Sequence, residues 1–308
     1  MIITVTLNPA IDKTAVVDSF NVGKINRIYN IVHDSGGKGI NASKTILSLG
    51  GNSIATGYIG GYFGMMLERD LVDNGIPVAF VHIDAETRTN TKILSLTGGE
   101  TELNEPGPHI TEFEKNRLFE KLVGMADENA IFVLSGSIPH GVEKTVYRDL
   151  TFALHEKGAR VFSDIDGEAF RLAMEAVPDL LKPNKSEVLK FFGKTEATQE
   201  ELVEMGKYFI EKGVKTVIIS CGADGALFFN GDKVYKSPAV QVEAKSTVGA
   251  GDAMMAVFAY SAERGYGFEE TAKMSMAVST GSVTTEGTKP ASKEVVDELL
   301  KKVVLTEI

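Results

Sequence analysis

Between Ser246 and Asp252 the chain reads Ser-Thr-Val-Gly-Ala-Gly-Asp and continues as a stretch of helical composition, Ala253–Ala262. Small residues at Gly249, Ala250 and Gly251 let backbone N–H groups approach a ligand without side-chain obstruction. At a helix start those N–H groups are unpaired and lie at the positive end of the helix dipole, which attracts phosphate oxygens. Asp252 falls in the first turn, beside that anion site. A carboxylate so placed can activate a hydroxyl while neighbouring donors stabilise developing charge. The same residues also fit a glycine-rich turn in which Asp252 merely complements the dipole. The helix terminus is expected to depress the Asp252 pKa and leave it a weak base. Phosphoryl transfer tolerates a weak base better than proton abstraction from carbon does, because its loose transition state gives up the proton late.

Further groups could share that chemistry. Ser35-Gly36-Gly37-Lys38-Gly39-Ile40-Asn41 opens another helix with glycines, a cation and a carboxamide, a second cradle for an anion or a hydroxyl. It is no Walker A loop, since the Gly spacing fails and Gly39 replaces the Ser/Thr. Gly193-Lys194-Thr195 fails too, with Val188 at the required Gly position. Lys182-Pro183-Asn184-Lys185-Ser186-Glu187 follows a strand and starts a helix. Asn184 and Glu187 have the spacing of a capping box, and they could equally order Mg²⁺ through water. Asp12 stands at the C-terminal end of the first strand, where open α/β sheets bind ligands, or it caps a turn. Lys24, Arg27, Arg88 and Lys92 suggest an anionic substrate or, alternatively, a solvated charged edge.

The elements that must position these groups follow from periodicity. Met1–Leu7 reads as a strand running into Asn8-Pro9, and Gly39–Leu49 as a helix ended by Gly50-Gly51. Strands are expected at 53–59 and 77–83, a helix at 64–73, and a hairpin around Gly98-Gly99. From residue 111 helices (111–124, 142–157, 184–192, 199–212) alternate with strands (130–134, 160–163, 179–182, 215–220). Strands 225–229 and 233–236 and helices 250–263, 268–284 and 292–302 follow. Such alternation specifies βαβ units, hence an α/β fold: a doubly wound, mostly parallel sheet with helices on both faces. Two β-rich pieces, about 10–34 and 83–106, interrupt it and read as a small β-sheet lid on a single domain spanning 1–308.

Composition narrows the function. The 308 residues include 42 Asp and Glu against 32 Lys and Arg, a formal net charge of −10, which disfavours nucleic acid as the main partner. One cysteine, Cys221, excludes an internal disulfide framework, and neither a signal-peptide pattern nor an apolar run of membrane-spanning length occurs. A cytoplasmic protein is expected. No dinucleotide fingerprint follows the first strand, which counts against a nicotinamide enzyme.

Taken in order, Leu7-Asn8-Pro9-Ala10-Ile11-Asp12, Gly36-Gly37-Lys38-Gly39-Ile40-Asn41, Thr89-Asn90-Thr91-Lys92, Ser135-Gly136-Ser137-Ile138-Pro139, Lys182-Pro183-Asn184-x-x-Glu187 and Thr247–Asp252 resemble the ribokinase-like (phosphofructokinase B) sugar kinases over essentially the whole chain. The Asn-Pro-Ala-Ile-Asp start and Lys38 are similar to the branch holding 1-phosphofructokinases and tagatose-6-phosphate kinases. The resemblance implies ATP and Mg²⁺ as cofactors and a phosphorylated ketohexose as substrate, fructose 1-phosphate going to fructose 1,6-bisphosphate before tagatose 6-phosphate. A non-catalytic sugar-phosphate sensor on the same fold is the reading from another class. By motif match, Asp252 is the base and the N–H groups of Gly249, Ala250 and Gly251 the anion hole. Asp12, Gly37, Lys38, Asn41 and Arg88 hold the sugar phosphate, with Asn90 or Lys92 assisting. Lys182, Asn184, Glu187, Ser220, Gly222, Gly225 and Thr247 line the nucleotide, and Asn184 and Glu187 serve the metal through water. Glu286-Gly287-Thr288 falls where the family has a loop near the adenine. The lid implies a homodimer in which Lys24 reaches the partner's sugar phosphate. Three positions depart from the pattern: Val257 for a smaller residue, Asp166 in Ser163-Asp164-Ile165-Asp166-Gly167, and Asn41-Ala42-Ser43-Lys44 for Asn-Val-Ala-Arg.

Overall fold

In the computed structural model, which describes residues 1–308, strand β1 (Ile2–Thr6) leads into β2 (Ala10–Val17), β3 (Ile28–Gly36) and helix α1 (Lys38–Ser48). Next come β4 (Ser53–Gly60), α2 (Gly61–Asp73), β5 (Val81–Ile83), β6 (Arg88–Ser95) and β7 (Glu100–Asn104). The alternating part holds α3 (Glu112–Gly124), β8 (Ile131–Ser135), α4 (Val146–His155), β9 (Arg160–Asp164), α5 (Gly167–Ala173), β10 (Leu180–Leu181), α6 (Lys185–Phe191), α7 (Gln199–Glu211) and β11 (Thr216–Ser220). Strands β12 (Ala226–Asn230) and β13 (Lys233–Ser237), helices α8 (Ala250–Arg264), α9 (Phe268–Ser282) and α10 (Lys293–Leu300), and β14 (Thr306–Glu307) follow.

Strand β8 shows why helices cover both faces. All five of its residues are buried; Phe132 and Leu134 enter one core, and Ile131 and Val133 enter the other. A strand with two buried faces is apolar along nearly its whole length, and in β8 only the terminal Ser135 is polar. Helices α3 to α7 close the first face through Leu118, Leu150, Phe170, Val188 and Phe209. Helices α1, α8 and α9 close the second through Ile46, Met254, Met255 and Met276.

The ten-stranded sheet runs β14-β13-β12-β11-β10-β9-β8-β1-β4-β5. Pairing is parallel from β5 to β11, and the β12, β13 and β14 edge is antiparallel. Strand β1 lies inside, with β4 on one side and β8 on the other, so the winding direction reverses at β1. Such a switch point opens a crevice at the C-terminal strand ends. The strand expected over 77–83 is confined to Val81–Ile83, with one bridge between Ala55 and Val78. Helix α5 and the two-residue β14 are too short for periodicity to announce them.

The second sheet, β3-β2-β6-β7, is the small lid sheet; β2 and β6 pair in parallel, and the other pairs are antiparallel. Its register places Asp12 beside both Asp34 and Asn90, and Asn90 beside Asn104. Residues paired this way share one face of a sheet, so the lid turns a polar face toward the switch point.

The opposite rim of the main sheet carries no site residues. There Asp179 accepts from His155 Nε2 (3.0 Å), Lys215 Nζ (2.8 Å) and the Val161 amide (2.8 Å). Burial works against its charge, but these donors hold its pKa down at about 2, against an ordinary 3.8. A depressed carboxylate contributes stability that is complete above the unfolded pKa and is lost as pH falls through the folded one. Asp179→Asn is therefore expected to cost about 2 kcal/mol in urea unfolding at pH 7 and roughly half that at pH 3, with catalytic rate unchanged. An equal cost at both pH values would refute the electrostatic origin.

Candidate active site

A cavity of about 530 Å³ opens between the lid and the C-terminal ends of β1, β8 and β9, lined by 21 residues of which one is hydrophobic. Asp12, Gly37, Lys38, Asn41, Arg88, Asn90, Lys92, Gly249 and Asp252, drawn from widely separated motifs, all line it. Gly287, Thr288 and Asp166 join them, so the 286–288 loop borders this cavity. Six buried side-chain polar atoms have no partner in the protein, and four of them belong to lining residues: Thr6 Oγ1, Asn8 Oδ1, Asn41 Oδ1 and Asn90 Oδ1. Unsatisfied polar atoms are costly and rare, and their concentration here marks a site whose partner is a ligand or ordered water.

Helix α8 begins as its sequence requires. Gly249 caps it at φ 83°, a left-handed conformation that glycine adopts without strain. A Cβ on Gly251 would lie 3.0 Å from Lys182 Nζ, so an ammonium faces the mouth of the N–H cradle. Asp252, in the first turn, is 7% exposed, and its Oδ2 accepts from Asn41 Nδ2 at 2.8 Å. The two glycine-rich motifs thus meet through one hydrogen bond across 211 positions.

Beneath them lies a residue for which the sequence supplied no role. Asp164, at the end of β9 and 2% exposed, accepts from Lys38 Nζ (2.8 Å, Oδ1) and Lys182 Nζ (3.0 Å, Oδ2). Burial disfavours its charge, yet the two lysines win and keep its pKa below the usual carboxylate value. Burial likewise opposes the Lys38 charge, and Asp164 holds that ammonium above the usual lysine value. For Asp252 the balance reverses. Burial first, then repulsion from Asp164, push its pKa up to about 6 despite Asn41 and both lysines. The depression expected from the helix terminus is corrected by the structure: loss of water and a buried like charge raise the Asp252 pKa instead. Asp252 is consequently a better base than its sequence context suggests.

Lys38, Arg88 and Lys92 face the cavity, but each is already engaged. Lys38 is held on Asp164. Arg88 donates through Nε and Nη2 to the Asn8 carbonyl (3.2 and 3.0 Å) and through Nη1 to the Glu105 carbonyl (2.8 Å). Lys92 pairs with Glu100 at 2.9 Å. Lys38 thus lines the cavity while paired to Asp164. Lys24 is exposed on the lid and does not line the cavity of its own chain.

The capping box at Asn184 and Glu187 is formed. Asn184 Oδ1 accepts from the Glu187 amide (2.9 Å), and Glu187 Oε2 from the Asn184 amide (2.7 Å). Capping uses one oxygen of Glu187, whose pKa burial raises and Lys38 and Lys182 oppose. Asn184 bridges to Ser220, which leads into the turn holding Gly222 and Gly225. A second cavity, about 360 Å³, lies against this turn between Lys185, Cys221, Asp224 and Lys236. Burial pushes the Cys221 thiol up to about 11, so it is an unreactive wall group. Thr247 is exposed just ahead of the cradle. Val257 is fully buried where α8 meets Ala277 and Val278 of α9, so its extra volume is absorbed by helix packing.

If Asp164 raises the Asp252 pKa, Asp164→Asn removes the repulsion and frees both lysines to act on Asp252. The acid limb of kcat/KM, near pH 6 in the unmodified chain, is expected to move to lower pH while kcat falls by an order of magnitude or more. Comparing the two profiles cancels the ionisation of a phosphorylated substrate. An unmoved limb would rule out the coupling.

Known proteins agree with this geometry. The family model for "pfkB family carbohydrate kinase" matches residues 5–294. A 1-phosphofructokinase of Bacillus subtilis (strain 168) is 35% identical over 308 residues, covering 100% of both chains. A D-tagatose-1-phosphate kinase of Bacillus licheniformis is 30% identical over 309 aligned positions, again covering 100% of both. Among solved structures, phosphofructokinase-2 of Escherichia coli in complex with potassium superposes with a TM-score of 0.93 at 28% identity, covering 98% of each chain. With one family model accounting for the lid, both glycine-rich cradles and the helix that carries Asp252, this chain is a member of the pfkB family of carbohydrate kinases.

Proposed function

We propose that the chain transfers the γ-phosphoryl group of ATP to the 6-hydroxyl of a ketohexose 1-phosphate, fructose 1-phosphate above others. The observation that carries this reading is Asp252: a buried carboxylate with a pKa near 6, at the start of a helix whose N–H groups are free, inside a polar cavity under a lid. Several full-length relatives are named for fructose 1-phosphate, and the tagatose relative for the 1-phosphate rather than the 6-phosphate. That pattern favours a substrate whose 6-hydroxyl is unmodified.

In the proposed step Asp252 accepts the proton of the 6-hydroxyl as that oxygen bonds to the γ-phosphorus. The bond from phosphorus to the bridging β,γ-oxygen breaks, and ADP departs. The N–H groups of Gly249, Ala250 and Gly251 and the ammonium of Lys182 receive charge on the equatorial oxygens. Asp164 fixes Lys182 and Lys38 in place before substrate arrives, so no side-chain ordering remains to be done at the transition state. Asp12 and Asn90, joined by a 2.9 Å hydrogen bond, meet sugar hydroxyls, and lid closure excludes water. Glu187 keeps one carboxylate oxygen outside its cap, which suits Mg²⁺, an ion that keeps several waters and binds largely to phosphates. Asn184 and Glu187 would hold that ion through water, and it would screen the phosphate charges. No helix is long and apolar enough to cross a membrane.

ADP release should be measured with fructose 1-phosphate, tagatose 1-phosphate, tagatose 6-phosphate and fructose 6-phosphate. The expected outcome is fastest turnover on fructose 1-phosphate and a loss of at least about a thousandfold in Asp252→Asn. Preference for a 6-phosphate, or near-normal turnover in the variant, would overturn the substrate or the base.

A homodimer through the lid completes the reading. Val22 and Ile25 are 88% exposed and Tyr29 71%, with Ile28 and Ile31 of β3 exposed as well. We read these exposed apolar side chains as the contact with a second copy, in which Lys24 would bring a cation to the partner's substrate phosphate. Ile31→Glu is expected to halve the mass seen by light scattering and to raise the sugar-phosphate KM. An unchanged mass would refute the interface.

A further inference from the structure

One partly buried charge near the cavity has no part in the mechanism above. Lys44, on α1 six residues after Lys38, does not line the cavity; its Nζ donates to the Ser35 carbonyl at 2.6 Å. Ser35 is the penultimate residue of β3, at the root of the lid, and is 2% exposed. Its hydroxyl donates to Asp70 Oδ2 on α2 at 2.5 Å. Helices α1 and α2 and the returning lid strand therefore meet at a single polar junction.

The surroundings of that junction are charged. Asp70 of α2, Asp34 of β3 and Asp12 of β2 act electrostatically to favour the ammonium's charge, and Lys289, in the loop beyond α9, opposes it. Burial lowers the Lys44 pKa below the ordinary value, and the three carboxylates pull it back up. Asp12 sees the complementary field: burial raises its pKa, and Asn90, Arg88 and Lys44 oppose that while Asp34 adds to it. Asp12 and Asp34 stand directly opposite each other in the lid register, a like-charge pairing that is unfavourable unless compensated. A purely mechanical contact would not need a cation. Next to this junction Ile11 of β2, Ile40 of α1, Ile59 of β4 and Leu67 of α2 join neighbouring elements through apolar packing alone. A lysine drawn partly out of water carries a desolvation cost that only its acidic neighbours and the Ser35 carbonyl offset.

We propose that Lys44 is a positioning residue for the sugar substrate: it pins the end of β3 to α1 and α2 and offsets the facing pair Asp12 and Asp34, so that Asp12 is presented to the sugar on a fixed lid root. The link to the sugar rests on the function proposed above; the anchoring of the lid does not. An arginine, which keeps the charge and can reach the same carbonyl, preserves the device, whereas a methionine keeps only the bulk.

Lys44→Met and Lys44→Arg should be compared by steady-state kinetics with fructose 1-phosphate and ATP, and by hydrogen exchange of peptides covering 10–17 and 28–36. In Lys44→Met the sugar-phosphate KM is expected to rise about tenfold, the ATP KM to stay within about twofold, and the two lid peptides to exchange faster. Lys44→Arg should restore all three. Asp70→Asn, which weakens the junction from the α2 side, should reproduce the faster exchange and serves if the methionine variant fails to fold. Unchanged sugar KM and unchanged exchange would overturn the proposal, as would a parallel loss of both KM values that arginine does not restore. If the unmodified chain phosphorylates no sugar phosphate, the functional reading fails by itself, and the exchange data alone decide the anchoring.

Discussion

A single buried carboxylate holds the centre of this molecule together. Asp164 has lost nearly all contact with water, and a lone charge there would be prohibitive. It persists because one lysine comes from the glycine-rich start of α1 and another from the segment between β10 and α6. One of those segments opens into the cavity beneath the lid and the other leads into the capping box of α6, so the electrostatic requirement of one side chain fixes the distance between them. The same charge raises the pKa of Asp252, which links the placement of the cations to the strength of the base.

The sheet makes this convergence possible. Winding reverses at β1, and the segments that follow β1, β8 and β9 all open toward the same crevice. Residues far apart in sequence, such as Asn41 and Asp252, become hydrogen-bonded neighbours because α1 and α8 lie side by side on one face of the sheet. Rigid elements supply the positions, and the glycine-rich turns supply the close approach that phosphate oxygens require.

The lid obeys a different logic. It has a polar face over the cavity, set by the register of β2, β3 and β6, and a broad apolar exposure around Val22 to Ile31. A sheet this small does not stand by itself in water. Its root is held by the Lys44, Ser35 and Asp70 junction and by Arg88 on the Asn8 carbonyl. Its outer part exposes apolar side chains at Val22, Ile25 and Tyr29.

By itself the sequence determined the layer architecture, the lid, the anion cradle at Gly249–Gly251 and the carboxylate beside it. These are local matters: strand and helix periods, glycine where backbone must come close, and a cap residue at a helix start each leave a mark within a few residues. The short α5 and β14 left no such mark. Asp164 was equally illegible, because its meaning lies in two lysines 126 positions before and 18 positions after it. The ionisation of Asp252 was misjudged for the same reason: a helix end is visible in sequence, whereas burial and a facing charge are not. Tertiary structure alone decided which cations are already paired, which carboxylate keeps a low pKa and which a raised one, since desolvation and Coulomb interactions depend on distance in space and on exclusion of water rather than on position along the chain.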